Sequence, residues 1–294
     1  MREACLDLLK AKEPEIAAFD AYLPGGGTVA ARSRRLWYAL RRYGLKGLYY
    51  VTWLFPMVTK ARAFWGKDIY IDLPEDIAVV FFGALPGFEL PLTKFLVKNL
   101  KDDSVFYDVG AHIGFYSALA KEFVTAGEIH SFEANPCTFK VLVKNADRPN
   151  MTANLIAVAD VMGEERDYYA DPRMSGMSGF RPDSRFKKII AKTTTLDDYA
   201  KSHRPPTIMK IDVEGFEEEV LAGARAMIAQ AHPVILMELW KSDDGAEAHG
   251  GTIGLLAREG YRLYGLNKEG DPELLERPDQ AGNLGYDNFV FMRP

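Results

Sequence analysis

From residue 105 onward, short apolar runs alternate with stretches whose apolar residues recur every three or four positions, the pattern of strand followed by helix. The runs predict strands at 105–108, 128–132, 155–159, 208–213, 234–238, 262–266 and 288–292. Helices are expected between them, at 115–122, 136–147, 216–223 and 252–259, with one more over 89–100 leading into the first strand. Strands that are apolar along their whole length are buried on both faces. That implies an α/β fold, a mostly parallel seven-stranded sheet with helices on both faces and a final hairpin.

Upstream the pattern differs. Residues 1–24 read as a helix ending before Pro24-Gly-Gly-Gly27, and 30–66 as a second helical stretch interrupted at Pro56. Residues 68–73 alternate at period two, like a half-buried strand or hairpin arm. A helical extension, 1–67, and a main domain, 68–294, are therefore expected. Between 162 and 192 the alternation lapses around Asp171-Pro-Arg-Met-Ser-Gly-Met-Ser-Gly179. A long loop in a compact domain is often functional, so this one is expected to serve the substrate.

Charge changes the picture of the extension. The net charge is −5, yet Arg32 to Lys67 holds nine Lys or Arg and no Asp or Glu, which leaves −14 elsewhere. Within that segment, Leu48 to Val58 is apolar and aromatic, but too short for a bilayer that needs about 20 residues. Basic and aromatic residues interleaved this way suit an anionic lipid interface, and suit equally a phosphorylated or lipid-linked acceptor. They also suit a helix packed on the main domain with its basic face in water. No nucleic-acid motif accompanies the charge. Cys5 and Cys137 form no disulfide or zinc pattern, and the N-terminus has no long apolar core for secretion. A cytoplasmic protein is expected, with peripheral contact at the inner membrane surface through 32–67 as an option.

The chemistry concentrates at strand tips. Asp108-Val-Gly-Ala-His-Ile-Gly114 ends one strand and opens a helix, so backbone N–H groups and the positive end of a helix dipole face a ligand. Gly110 supplies permissive backbone angles, and Gly114 is expected to let backbone approach backbone. Glu133 closes the next strand, where a carboxylate accepts ribose hydroxyls. A pyrophosphate wants GxGxxG, whereas this turn, with Ala111 and His112 inside it, spells DxGxxxG. The departure favours a nucleoside without phosphates whose charges are an amino group and a carboxylate, and Asp108 suits the ammonium. S-adenosylmethionine fits that description. His112 serves either as a base near the transferable group or as a turn residue bonded to backbone.

A second cluster, Ile208-Met-Lys-Ile-Asp-Val-Glu-Gly-Phe-Glu217, carries Lys210, Asp212 and Glu214, which share one face if the strand stays extended. Charges on a central strand are expensive to bury unless paired or functional. An acid there could orient or deprotonate an acceptor hydroxyl while Lys210 holds it ionised. Glu238 ends the next strand at the same edge, so Asp212, Glu214 and Glu238 could instead bind a divalent cation. Glu89, at the start of the 89–100 helix, is expected mainly as a first-turn carboxylate.

Together, Asp108-Val-Gly-Ala-His-Ile-Gly-Phe-Tyr116, Ser131-Phe-Glu-Ala-Asn-Pro136, Thr195-Leu-Asp-Asp198, Ile208-Met-Lys-Ile-Asp-Val-Glu-Gly215 and Asn288-Phe-Val-Phe291 resemble the FkbM family of S-adenosylmethionine-dependent methyltransferases. The resemblance runs from about residue 70 to the end and implies a class I Rossmann-like fold. It further implies O-methylation of a hydroxyl on a sugar, glycolipid or polyketide. By position, Asp108, Gly110 and Gly114 would line the methionine end and Glu133 the ribose, with Asp160 near the adenine. Lys210, Asp212 and Glu214 would line the acceptor. His112 departs from the small polar residue common at that position.

Two other readings exist: a nicotinamide-dependent oxidoreductase, and a membrane-surface module with a degenerate nucleoside pocket. Calorimetry separates the first from methyl transfer, and liposome co-sedimentation tests the second. S-adenosylhomocysteine is expected to bind and NAD to give no heat, because the turn offers a pyrophosphate no seat; the reverse result excludes the methyl-donor reading.

Overall fold

The computed structural model describes residues 1–20, 51–52, 54–55, 57–73, 75–85, 89–170, 178–180, 186–238, 250–276 and 288–294. The Pro24–Gly27 break and much of the basic segment lie outside these. The chain divides into two compact units, Met1–Gly87 and Phe88–Pro294.

The first unit holds α1 (Arg2–Asp20), β1 (Met57–Arg62), β2 (Asp68–Leu73) and α2 (Ile77–Phe82). β1 and β2 form an antiparallel hairpin, from Met57 opposite Leu73 to Arg62 opposite Asp68. The alternation of β2 puts Ile69, Ile71 and Leu73 in the core. Residues 57–62, expected within a helical stretch, are strand instead, because β-branched Val58 and Thr59 pair with β2. Residues 68–73 therefore belong to the first unit, and the division falls at Gly87 where 67 was expected.

The second unit begins with α3 (Leu90–Asn99), β3 (Val105–Val109), α4 (Phe115–Ala120), β4 (Glu128–Glu133), α5 (Pro136–Asn145) and β5 (Met151–Leu155). Next come β6 (Ala157–Val158), β7 (Glu165–Ala170), β8 (Lys187–Thr194), α6 (Leu196–Tyr199) and β9 (Ile208–Ile211). Then follow α7 (Glu217–Ala222), α8 (Arg225–Ala231), β10 (Val234–Glu238), α9 (Gly250–Arg258), β11 (Arg262–Leu266), β12 (Pro272–Leu274) and β13 (Asn288–Met292). The main sheet has eight strands in the order β12-β11-β13-β10-β9-β3-β4-β5. Its β10-β9-β3-β4-β5 portion is parallel, and β13 is antiparallel to both β10 and β11. This is the expected Rossmann-like α/β sheet, with eight strands where seven were expected, because β12 pairs onto the outer edge of β11. The chain steps outward from β3 through β4 to β5, then returns to β9 on β3's other side, so a topological switch point falls between β3 and β9.

Every residue of β3 and β9 is buried, as strands covered on both faces require. Tyr107, Phe132, Met209, Ile211, Ile235, Met237 and Phe289 share one core cluster. Full burial of each contributes about 1.5–3 kcal/mol. The third strand falls earlier than expected, at Met151–Leu155, and Ala157–Val158 leaves the main sheet to pair with β8. The expected 162–192 loop is partly strand, since β7 and β8 pair antiparallel from Glu165 opposite Lys192 to Ala170 opposite Lys187. Among the described residues no helix is long and apolar enough to cross a membrane.

His130, on β4, is buried between Tyr107, Tyr199 and His203. Its ring nitrogens lie 2.9 Å from Tyr199 Oη and 3.0 Å from Glu128 Oε2. Burial lowers its pKa below 6.5, with His203 adding to the effect, against the pull of Glu128. The unfolded chain thus binds the proton first as pH falls, so His130's contribution, complete above about pH 6.5, is lost as pH drops through the lowered value. Buried acids with raised values give the opposite slope, so the comparison needs a variant. His130→Asn is expected to lose less unfolding free energy than the native chain between pH 7 and pH 5 in urea titrations; parallel losses would refute the assignment.

Candidate active site

Open α/β sheets bind ligands at the switch point, beyond the carboxyl ends of the strands. Here register places Asp108 of β3 between Lys210 of β9 and Ser131 of β4. Asp108 is buried, and its Oδ2 accepts a hydrogen bond from Ser117 Oγ at 2.6 Å; that hydroxyl lies 2.7 Å from Ser131 Oγ. Its Oδ1 is buried with no hydrogen-bond partner. Leaving such an acceptor unmatched typically costs about 1–3 kcal/mol, and an ammonium is a suitable donor. Burial raises the Asp108 pKa, while Lys210 pulls it back.

Gly110, His112 and Gly114 all have left-handed backbone angles, with φ of +74°, +54° and +79°. A Cβ on Gly110 would stand 1.8 Å from the carbonyl oxygen of Asp212, whereas one on Gly114 would meet Leu142 Cδ1 at 2.5 Å. The close backbone approach expected at Gly114 is therefore made at Gly110, where the two chemistry-bearing turns touch. The N–H groups of Gly110 and Ala111 both donate to the Phe132 carbonyl. His112 donates its backbone N–H to Glu133 Oε2 at 2.8 Å, and Asn135 donates its own to Oε1 at 2.7 Å. Glu133 is buried, which raises its pKa against these two amides. It thus ties the glycine turn to its own strand tip, a role that spacing did not reveal.

On the other side, β9 ends at Ile211, so Asp212 already lies in a turn. Glu214 has φ +55° and Gly215 +91°. The extended face expected to carry Lys210, Asp212 and Glu214 together is broken there. Glu217 Oε1 pins the turn by accepting from the N–H groups of Val213 and Gly215. Lys210, 5% exposed, holds Asp212 Oδ2 at 2.8 Å, with the Tyr116 ring 5.3 Å from its Nζ. Burial draws the Lys210 pKa down, but Asp212, Asp108 and Glu89 outweigh it and keep the ammonium above its ordinary value.

Met237 is in register with Ile211, so Glu238 comes to stand beside Asp212. Carboxylate oxygens of Glu89, Asp212 and Glu238 lie within 4.8 Å of one another. Glu89 is thus more than a first-turn acid, and it takes the place that Glu214 was given in the possible cation set. Tyr116 Oη donates to Glu89 Oε2 at 2.5 Å. Burial, then Asp212, Glu89 and Glu214, push Glu238 up to about 8. Glu214 rises to about 7, through burial and then Asp212 and Glu217.

Asp160 is tied to Arg166 Nη2 at 2.8 Å, with its backbone against Gly223. From the 162–192 segment, Gly179 pairs with Tyr169 and approaches the Glu214 carbonyl, and Phe180 packs 4.5 Å from Phe216. Sequence reasoning missed Tyr116, Ser117 and Ser131 and undervalued Glu89.

The comparisons with known proteins bear on the same residues. Residues 108–263 match the methyltransferase FkbM domain model. Hexuronic acid methyltransferase AglP of Haloferax volcanii is 28% identical over 150 residues, covering 50% of this chain and 61% of that protein. The chain therefore spans less than two thirds of that relative. The 31-O-demethyl-FK506 methyltransferase FkbM of Streptomyces tacrolimicus is 28% identical, covering 56% of this chain and 75% of that one. A crystal structure of methyltransferase FkbM from Methylobacillus flagellatus KT aligns at 17% identity and a TM-score of 0.42, over 65% of this chain and 44% of that one. The family match opens on Asp108 and takes in both turns and Glu238. Because it spans more than half of the 294 residues, the chain belongs to the methyltransferase FkbM domain family.

Proposed function

We propose that the chain is an S-adenosylmethionine-dependent O-methyltransferase whose acceptor is a hydroxyl of a sugar, glycolipid or polyketide-type small molecule, free or lipid-linked. The observation that carries this is the meeting, at one switch point, of a buried carboxylate oxygen without a partner on Asp108 and the Lys210–Asp212 pair. The two relatives are named for a hexuronic acid and for 31-O-demethyl-FK506, which supports that acceptor class.

The donor group supplies a methyl carried on a sulfonium. The residues present fit it. Asp108 Oδ1 has no hydrogen-bond partner and can accept from an ammonium, and a carboxylate has about four lone-pair sites, so Glu133 keeps capacity for ribose hydroxyls after its two amide bonds. Gly110, Ala111, His112 and Gly114 wall the methionine end. Asp160, proposed near the adenine, has the least support because it is paired with Arg166.

In the transfer, an oxygen–carbon bond forms as the sulfur–carbon bond breaks, and the hydroxyl proton needs an acceptor. Asp212, oriented by Lys210, receives it. Glu238 stands beside it, where its carboxyl can hydrogen-bond the same hydroxyl or Asp212. Holding the hydroxyl in line and excluding water is the rest of the protein's task, and Phe180, packed against Phe216, is suited to it. Work at the inner face of a membrane, with residues 32–67 toward lipid, suits a lipid-linked acceptor. A divalent cation among Asp212, Glu238 and Glu89 is the second reading, favoured by their 4.8 Å proximity; Lys210 already bonds Asp212 Oδ2, so proton transfer stands first.

Asp212→Asn is expected to lower kcat by about 10²–10⁴, the span of general acid–base catalysis, and to leave S-adenosylhomocysteine affinity unchanged in calorimetry. Lost affinity would move Asp212 to the nucleoside site. Activity should survive chelation with EDTA; loss restored by Mg²⁺ or Mn²⁺ would establish the cation reading instead.

A further inference from the structure

Large apolar side chains exposed singly are normal, but here five fall within eight positions: Val51, Leu54, Phe55, Met57 and Val58. Leu54 and Phe55, at 71% and 72%, are the most exposed large hydrophobics among the described residues. They lead into β1, whose alternation sets Val58, Lys60 and Arg62 on one face while Ala61 turns to the core. Lys60 and Lys67 are exposed, and Lys60 lies 4.9 Å from the Tyr70 ring that its face covers. An apolar cluster thus adjoins a basic face, inside the one stretch of sequence that carries nine basic residues and no acid.

We infer that this patch docks on a membrane surface bearing anionic headgroups, with Leu54 and Phe55 entering the interface and Lys60 beside the headgroups. Charge selects the partner. The rest of the chain is at −14 and is repelled by such a surface, so attraction is confined to this segment. A largely apolar stretch of eleven residues, 48–58, is too short to cross a bilayer but long enough to lie at its interface. The inference is independent of methyl transfer, since it draws on no residue of the candidate active site.

The test is co-sedimentation of the full chain with vesicles of phosphatidylcholine alone and of phosphatidylcholine mixed with phosphatidylglycerol. Binding is expected only to the mixed vesicles and should weaken with added salt. Leu54→Ser/Phe55→Ser should reduce it about tenfold or more, and Lys60→Glu by less, with melting temperatures unchanged. Equal binding to both vesicle types, no binding, or full binding by the double variant would overturn the inference. So would analytical ultracentrifugation showing a dimer that the double variant dissolves, because a second copy would then be the occupant.

Discussion

The carbonyl oxygen of Asp212 rests where a side chain on residue 110 would begin, 1.8 Å from the position of a Cβ. Only glycine permits that approach, and its left-handed φ reinforces the requirement. The contact brings the turn after β3 and the turn after β9 against each other. The bond from the Asp212 N–H to the Val109 carbonyl closes the same joint. Asp108, Lys210 and Asp212 consequently share one small volume, and every chemical property of the site derives from this nesting.

Charge is balanced within that volume. A lone ammonium buried as deeply as Lys210 would be strongly disfavoured, yet Asp212 bonds it and Asp108 and Glu89 add to the attraction. Removing one partner of such a group costs about 3–5 kcal/mol, which makes the arrangement mutually dependent. Negative charge still exceeds positive at the outer edge, where Glu238 and Glu214 are pushed toward neutral values. Burial and the neighbouring carboxylates are the cause in both cases. On the β4 side, Glu133 holds the glycine turn through the backbone amides of His112 and Asn135.

Much of this was legible in the chain. Val105 to Tyr107 is apolar, and Asp108-Val-Gly110 breaks the run at a glycine, so strand, turn and helix follow from periodicity. Asp108 and Glu133 could be placed at strand tips for the same reason. The third strand was misplaced because Met151–Leu155 is an edge strand with half-exposed polar positions, and the more apolar residues beyond it drew the assignment. The end of β9 was hidden because a positive φ at a glutamate, residue 214, is a product of tertiary packing and has no local signal. Glu89 was undervalued for a similar reason: its neighbours Tyr116, Asp212 and Glu238 come from three other elements, and only the assembled sheet edge unites them. The FkbM resemblance, resting on both turns at once, survived because the two motifs are one structure.

The most direct measurement is a crystal structure of the chain with S-adenosylhomocysteine. The account predicts the ligand's ammonium on Asp108 Oδ1 and its ribose hydroxyls on Glu133, with the homocysteine sulfur facing Asp212. A crevice filled by the protein's own side chains, or a ribose bound away from Glu133, would contradict it.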